Sequence, residues 1–387
     1  MNQFVQSLEL FFIKWIWSGK YKAGKLIFST IFLGLLLNIF FFPGGLKNID
    51  ILFKNWPTSA HVNTIQIIEL QHEDLTKHLL ELNIPQEDHR FKMTYRLFLP
   101  LLSRLIGIQY FFWKVFFIQL ALLPLFVLFL FQWLSFYFKN PFTLFLFLIP
   151  LSSTYYLSAF WQDIFLYGDS IAFFLLLLCL RFNHPALLFS CAFLASWIDE
   201  RAFVGLFGIL SWWGMFQFSK DDWTWKKMVN APFFAILLAI LGYTTTRILL
   251  QINFFPPSFF PLHSLIDEFI STLYENVKCL GFSLWRGYKG TLGFVSLFIL
   301  LNLQDKQYLR TFGFVSLFIL SSLFAMGAYD LSRGLSYFFP FILFSLIEIR
   351  RYWSEQDMRL MLFFLLLFTL TCSNLSFFRL PGSYPLY

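Results

Sequence analysis

Two short charged clusters stand in otherwise apolar sequence: Asp199-Glu200-Arg201, which splits a long apolar stretch, and Asp330-Leu-Ser-Arg333, which sits between two apolar runs. Carboxylates can move protons and guanidinium groups can hold anions, so clusters of both that share one face of a bundle are candidates for chemistry. The same residues also suit a plain structural role. Asp199 to Arg201 reads equally as a self-neutralising turn, and Asp330 with Arg333 as a pair that fixes two helices. Ionised groups among hydrocarbon are costly and seldom idle. Asp163 and Asp169 add two carboxylates flanking one further turn, where Asp169 either caps the helix that follows or faces a cavity.

The elements that carry these residues are apolar helices. The chain has 387 residues, of which 58% are hydrophobic, 13% are charged and 57 are Phe. That charged fraction is about half of the ~25% usual in a soluble domain. Several apolar runs reach the roughly 17 to 25 residues that cross ~30 Å of hydrocarbon, and none alternates as a barrel strand would. The expected fold is therefore all-α, a polytopic transmembrane helix bundle of about eleven spans. The spans fall near 26–43, 111–137, 141–157, 171–180, 185–198, 202–218, 231–249, 292–303, 312–328, 338–349 and 361–375, several of them shorter than a full crossing. Residues 1–25 form a separate interfacial helix, with Lys14, Lys20, Lys22 and Lys25 beside Leu8, Phe11, Phe12, Trp15 and Trp17. Residues 26–387 form a single transmembrane domain.

Orientation follows from the short loops. With the N-terminus in the cytoplasm, the inner loops hold Lys139, Arg181, Lys220, Lys226, Lys227, Lys306, Arg310, Arg350, Arg351 and Arg359. The short outer turns hold Arg201 and Arg333, together with Asp163, Asp169, Asp199, Glu200 and Asp330. Two outer loops are long, 44–109 and 250–290. The first contains an amphipathic stretch at 64–82 with Glu73 and Asp74 on its wet face, then an apolar segment bracketed by Arg96 and Arg104 that dips towards lipid phosphates or anchors at headgroup level. The second contains a polar helix with Asp267, Glu268 and Glu275, placed to cover a cavity as a lid.

Other chemistries find little footing. The six histidines show no zinc spacing, and no metal site or organic cofactor is expected, although a divalent cation stays open. The four cysteines read as small core residues and do not suggest a disulfide framework. The net charge of +7 is spread over loops that flank apolar spans, which fits membrane orientation and no nucleic-acid partner. The octapeptide Gly-Phe-Val-Ser-Leu-Phe-Ile-Leu occurs at 293–300 and again at 313–320, and reads as local duplication or biased composition.

The order of features resembles the GT-C superfamily of polytopic membrane glycosyltransferases. The residues that carry the resemblance are Arg96-Leu-Phe-Leu-Pro100-Leu-Leu before the second span, Asp169 opening a Leu-rich span, Glu200 ending the next short span, and Asp330-Leu-Ser-Arg333 before Tyr337 and Pro340. The resemblance implies a hexosyl- or pentosyltransferase of the bacterial cytoplasmic membrane. It would move a sugar from a polyprenyl-phosphate donor to a glycan, lipid or protein acceptor on the extracytoplasmic side. It further implies a carboxylate base among Asp50, Asp169 and Glu200, and donor or phosphate contacts among Arg96, Asp163, Asp199, Arg201, Asp330 and Arg333. Members of that superfamily tend to carry a paired or Tyr-flanked Asp early in the first outer loop, whereas Asp50 here has no acidic neighbour. A transporter or lipid flippase, and a non-catalytic GT-C-like scaffold, are the competing readings.

Overall fold

The computed structural model describes residues 2–41, 60–75, 96–163, 166–217, 225–254, 262–288, 290–327 and 331–371. Asp50 and Asp330 lie outside the described residues, as do Leu79 and Leu82 of the amphipathic stretch. Among the described residues there is no strand; the chain is all-helical and fits an integral membrane protein. The helices are α1 (Asn2–Trp15), α2 (Lys22–Phe41), α3 (Ala60–Glu73), α4 (Phe98–Ile106), α5 (Phe111–Leu134), α6 (Pro141–Ser152), α7 (Tyr155–Gln162), α8 (Asp169–Arg181) and α9 (Pro185–Ile198). Next come α10 (Ala202–Ser211), which runs on into a π-helical turn (Trp212–Phe216), then α11 (Trp225–Met228), α12 (Ala231–Phe254), α13 (Leu262–Tyr288) and α14 (Gly293–Gln304). The last four are α15 (Tyr308–Met326), α16 (Leu331–Ser336), α17 (Phe339–Tyr352) and α18 (Glu355–Thr371).

Each of the eleven apolar segments in the sequence contains a helix, and among the described residues three are long and apolar enough to cross a membrane: Phe111–Leu134, Ala231–Leu250 and Tyr308–Met326. A fourth is possible if α6 and α7, bent by 62°, act as one broken span. The shorter helices have a place in such a bundle. Helices α8 and α17 have 13 and 14 residues, about 20 Å at 1.5 Å per residue, and are packed inside the protein along most of their length. A helix buried among other helices need not reach both headgroup layers.

The break between α6 and α7 is held by hydroxyl groups. Ser152, Ser153 and Thr154 donate back to the carbonyls of Ile149, Pro150 and Leu151 at 2.6, 2.7 and 2.6 Å, which satisfies backbone acceptors freed where the helix stops. The bend starts α7 at Tyr155. Elsewhere phenylalanine fills the interior: the ring centroids of Phe298 and Phe314 are 4.7 Å apart, those of Phe216 and Phe344 5.2 Å, and those of Phe314 and Phe344 5.5 Å. Phe298 is the sixth residue of the first octapeptide copy and Phe314 the second residue of the other, so the copies meet through non-equivalent positions on consecutive helices.

Charged residues gather at two opposite ends of the bundle. One end carries Asp169, Asp199, Glu200, Arg201 and Arg333. The other carries a second buried group: Arg310 Nη2 lies 3.8 Å from Glu348 and donates to the Met215 carbonyl at 3.1 Å, and Arg351 Nη1 lies 2.7 Å from Glu348. Arg310 and Glu348 are both buried, so Arg310 is part of the core as well as a loop cation. At this same end α1 docks through Phe12, whose ring sits 5.4 and 4.9 Å from Phe142 and Phe145, while Glu9 pairs with Arg359. Phe4, Leu10, Phe11 and Trp15 stay exposed.

Close approach of α10 to α17 depends on two glycines. A Cβ on Gly205 would lie 2.8 Å from Leu176 Cδ1 and 3.2 Å from the Tyr337 carbonyl, and one on Gly208 would lie 3.0 Å from the Phe341 ring and Pro340. Gly205→Val is therefore expected to lower stability by about 1–3 kcal/mol through overpacking. Gly293→Ala, whose added Cβ meets nothing within 4 Å, is the neutral control in the same thermal-unfolding measurement in detergent.

Candidate functional site

The site lies where α7 ends, α8 begins and the tight turn between α9 and α10 carries Asp199, Glu200 and Arg201. Chain connectivity alone brings these pieces together, because α8, α9 and α10 are successive antiparallel helices joined by short turns. Arg96 arrives from the residues before α4, Arg247 from α12 and Arg333 from α16.

Asp169 is the centre. Its Oδ2 accepts from Tyr155 Oη at 2.8 Å and Arg333 Nε at 2.6 Å; its Oδ1 accepts from Tyr337 Oη at 3.0 Å and Arg201 Nη2 at 3.3 Å. Four donors occupy the four lone-pair directions of a carboxylate. Asp169 is fully buried, and the helix is preceded by Gly168 with no side-chain cap, so its role is to tie elements together and not to cap α8.

Asp199 is the second hub. Its Oδ1 accepts from the backbone N–H of Arg201 and from Arg201 Nε, each at 2.9 Å, and Arg201 Nη2 pairs with Oδ2. Arg96 Nη2 lies 3.5 Å away and Arg333 Nη2 3.7 Å away. Burial raises the Asp199 carboxyl, but Arg201, Arg96 and Arg333 outweigh it and hold it well below the usual carboxylate range.

Glu200 differs from both. Its side chain is 30% exposed where those of Asp169 and Asp199 are 0%. Arg96 grips it with two nitrogens, Nη2 at 3.2 Å and Nε at 3.3 Å, and Arg247 Nη1 approaches to 3.9 Å. Burial raises its carboxyl, and the pull of Arg96 and Arg247 overcomes that and lowers it. The cluster thus has a buried centre, Asp169, Asp199 and Arg201, bordered by Arg333 and Arg96, 11% and 12% exposed, and a more open rim of Glu200 and Arg247. A narrow cleft lined by Ile67, Ile68, Gln71, Leu99, Pro100 and Leu166 opens onto Arg96.

Asp163 sits to one side. It accepts from Gln119 Nε2 at 3.2 Å and from the backbone N–H groups of Tyr167 and Gly168 at 3.0 and 2.8 Å. Gly168 is needed there: its φ is +80°, and a Cβ would meet Ile198 Cγ2 at 2.6 Å. Arg333 spreads over the Tyr167 ring, 3.7 Å from its centroid.

Of the residues singled out in the sequence, Arg96, Asp169, Asp199, Glu200, Arg201 and Arg333 join one network and Asp163 borders it. Arg333 pairs with Asp169 and approaches Asp199. The pairing with Asp330 read from their spacing falls outside the described residues, as does any contact of Asp50. Arg104, expected near lipid phosphates, donates instead to the carbonyls of His72 and Gln71 at 2.8 and 3.3 Å, closing the C-terminus of α3. Three participants were missed. Arg247 stood inside an apolar run, where a lone arginine is itself a signal. Tyr155 and Tyr337 resembled ordinary aromatic residues, and Tyr337 entered only as part of a motif. Among the described residues no group of His, Cys, Asp and Glu could hold a metal ion.

The chain matches no protein-family model, no curated protein and no solved structure.

Burial and the nearby Asp169 push the Asp163 carboxyl up to about 6. A folded-state value above the unfolded ~3.9 means this group favours the fold most at low pH, and that contribution is lost as pH rises through about 6. Thermal unfolding in detergent at pH 5 and pH 7 is expected to show the midpoint of the wild type falling relative to that of Asp163→Asn as pH rises. A constant difference between the two proteins would show that Asp163 does not titrate there.

Proposed function

We propose that the chain is a GT-C-like glycosyltransferase of the bacterial cytoplasmic membrane, with its N-terminus in the cytoplasm, about eleven membrane-embedded helices and the ionic cluster at the extracytoplasmic end. The observation that carries this reading is the partly exposed rim: one carboxylate, Glu200, flanked by two arginines, Arg96 and Arg247. The basic residues Arg310, Arg350, Arg351 and Arg359 at the opposite end support the orientation.

In the reaction, an acceptor hydroxyl attacks the anomeric carbon of a polyprenyl-phosphate sugar. The new C–O bond forms as the bond to the phosphate oxygen breaks, the hydroxyl proton passes to Glu200, and the phosphate leaves with its charge held by Arg96 and Arg247. Glu200 is already gripped by those arginines. The donor phosphate, an anion of the same kind, competes for them and in doing so frees the base. Asp169, Asp199, Arg201 and Arg333 hold the turn in place and touch no substrate. Asp50 and Asp330, outside the described residues, keep their proposed roles as alternative base and substrate contact.

A second reading, a non-catalytic scaffold of the same architecture, is favoured by one observation: Asp169 and Asp199 are both saturated by arginine and tyrosine donors. The deciding experiment incubates purified protein with a panel of radiolabelled polyprenyl-phosphate sugars. The transferase reading expects turnover that Glu200→Gln lowers by about 10²-fold or more, with Arg247→Met raising the donor KM. Neither binding nor turnover across the panel would leave the scaffold.

A further inference from the structure

Helix α13 runs along the same end of the bundle as the ionic cluster and was expected to be a polar lid. Its described side chains fall on three faces. One face is fixed to the protein: Asn276 Nδ2 donates to the Met326 carbonyl at 2.8 Å, at the last turn of α15, and the Phe269 ring lies where a Cβ on Gly327 would be, 2.1 Å from that point. Further along, Leu280 and Leu284 pack against the core, and Tyr288 is buried with its ring centroid 6.2 Å from that of Phe338. A second face is wet and charged, with Glu275 and Lys278 paired at 2.7 Å and both exposed.

Between these two faces runs a third that is apolar and exposed. Ile270, Tyr274 and Val277 are 56%, 64% and 51% exposed, with Phe269 at its edge. At 100° per residue these positions fall within one stripe, beside the Glu275–Lys278 edge and not opposite it. The helix on whose end α13 docks, α15, is long and apolar enough to cross the membrane, and its Ile319, Leu320, Leu323 and Phe324 are also exposed. A band of exposed apolar side chains on a spanning helix faces lipid, and α13 docks where that helix ends.

We propose that α13 is an interfacial helix whose Ile270–Val277 stripe lies in the lipid leaflet at the ionic-cluster end, with the Glu275–Lys278 edge in the headgroup layer. Its other face packs on α16, the helix of Arg333. Lipid tails held by the stripe therefore reach the flank of the cluster from within the leaflet. This inference does not rest on the transferase reading.

The test uses full-length protein with its four native cysteines replaced by serine. Single cysteines at Ile270→Cys, Val277→Cys or Glu275→Cys carry an environment-sensitive NBD label, in nanodiscs of phosphatidylethanolamine and phosphatidylglycerol. Shallow doxyl-labelled phospholipid is expected to quench the labels at 270 and 277 about twofold more than the label at 275, and aqueous iodide the reverse. Equal quenching at all three positions overturns the proposal. So does failure of the lipid quencher, or of the label itself, to reach 270 and 277, since protein then covers the stripe, whether a second copy or another segment of this chain.

Discussion

Asp169 receives hydrogen bonds from Tyr155, Arg201, Arg333 and Tyr337, four residues on four parts of the chain, and no water reaches it. Removing a carboxylate from water costs several kcal/mol, and only well-placed cationic and hydroxyl donors recover that cost. The geometry of the whole end of the bundle answers to this constraint. The break after α6 presents Tyr155, the glycine before α8 turns the chain so that Asp169 starts the helix, and the tight turn between α9 and α10 brings Arg201. Gly205 and Gly208 then let α17 approach closely enough for Tyr337 to reach the carboxylate.

Once that inner layer is fixed, Glu200 has little freedom. It is the residue between Asp199 and Arg201, both locked inward, so its side chain is directed to the rim, where Arg96 and Arg247 meet it. A chemically useful carboxylate is thereby held at the surface of a rigid ionic platform. The Arg310–Glu348–Arg351 group does comparable structural work at the far end, tying α15 and α17 to the end of the π-helical turn through the Met215 and Phe216 carbonyls.

Much of this was legible in the residues. Asp199-Glu200-Arg201 between two apolar runs could only be a buried or surface turn, and the apolar runs themselves marked the helices. What sequence could not give was the partner of each charge. Arg333 meets Asp169, 164 positions away in the sequence. Spacing reports local neighbours, whereas a packed bundle chooses partners by which helix ends coincide. Arg247 and Arg310 were hidden for a related reason: one cation in or beside an apolar segment looks like a topology signal until its carboxylate partner is seen. Composition does not set the number of full crossings, because a short apolar segment has the same composition whether it faces lipid or lies wrapped in protein.

The most direct test of the buried network is a double-mutant cycle on Asp169→Asn and Arg333→Met, read by reversible unfolding in mixed SDS and detergent micelles. Each single change leaves a buried partner uncompensated, and the pair removed together leaves less behind, so a coupling of about 1–3 kcal/mol is predicted. Effects that add to within about 0.5 kcal/mol would contradict the account, because Asp169 and Arg333 would then not depend on each other.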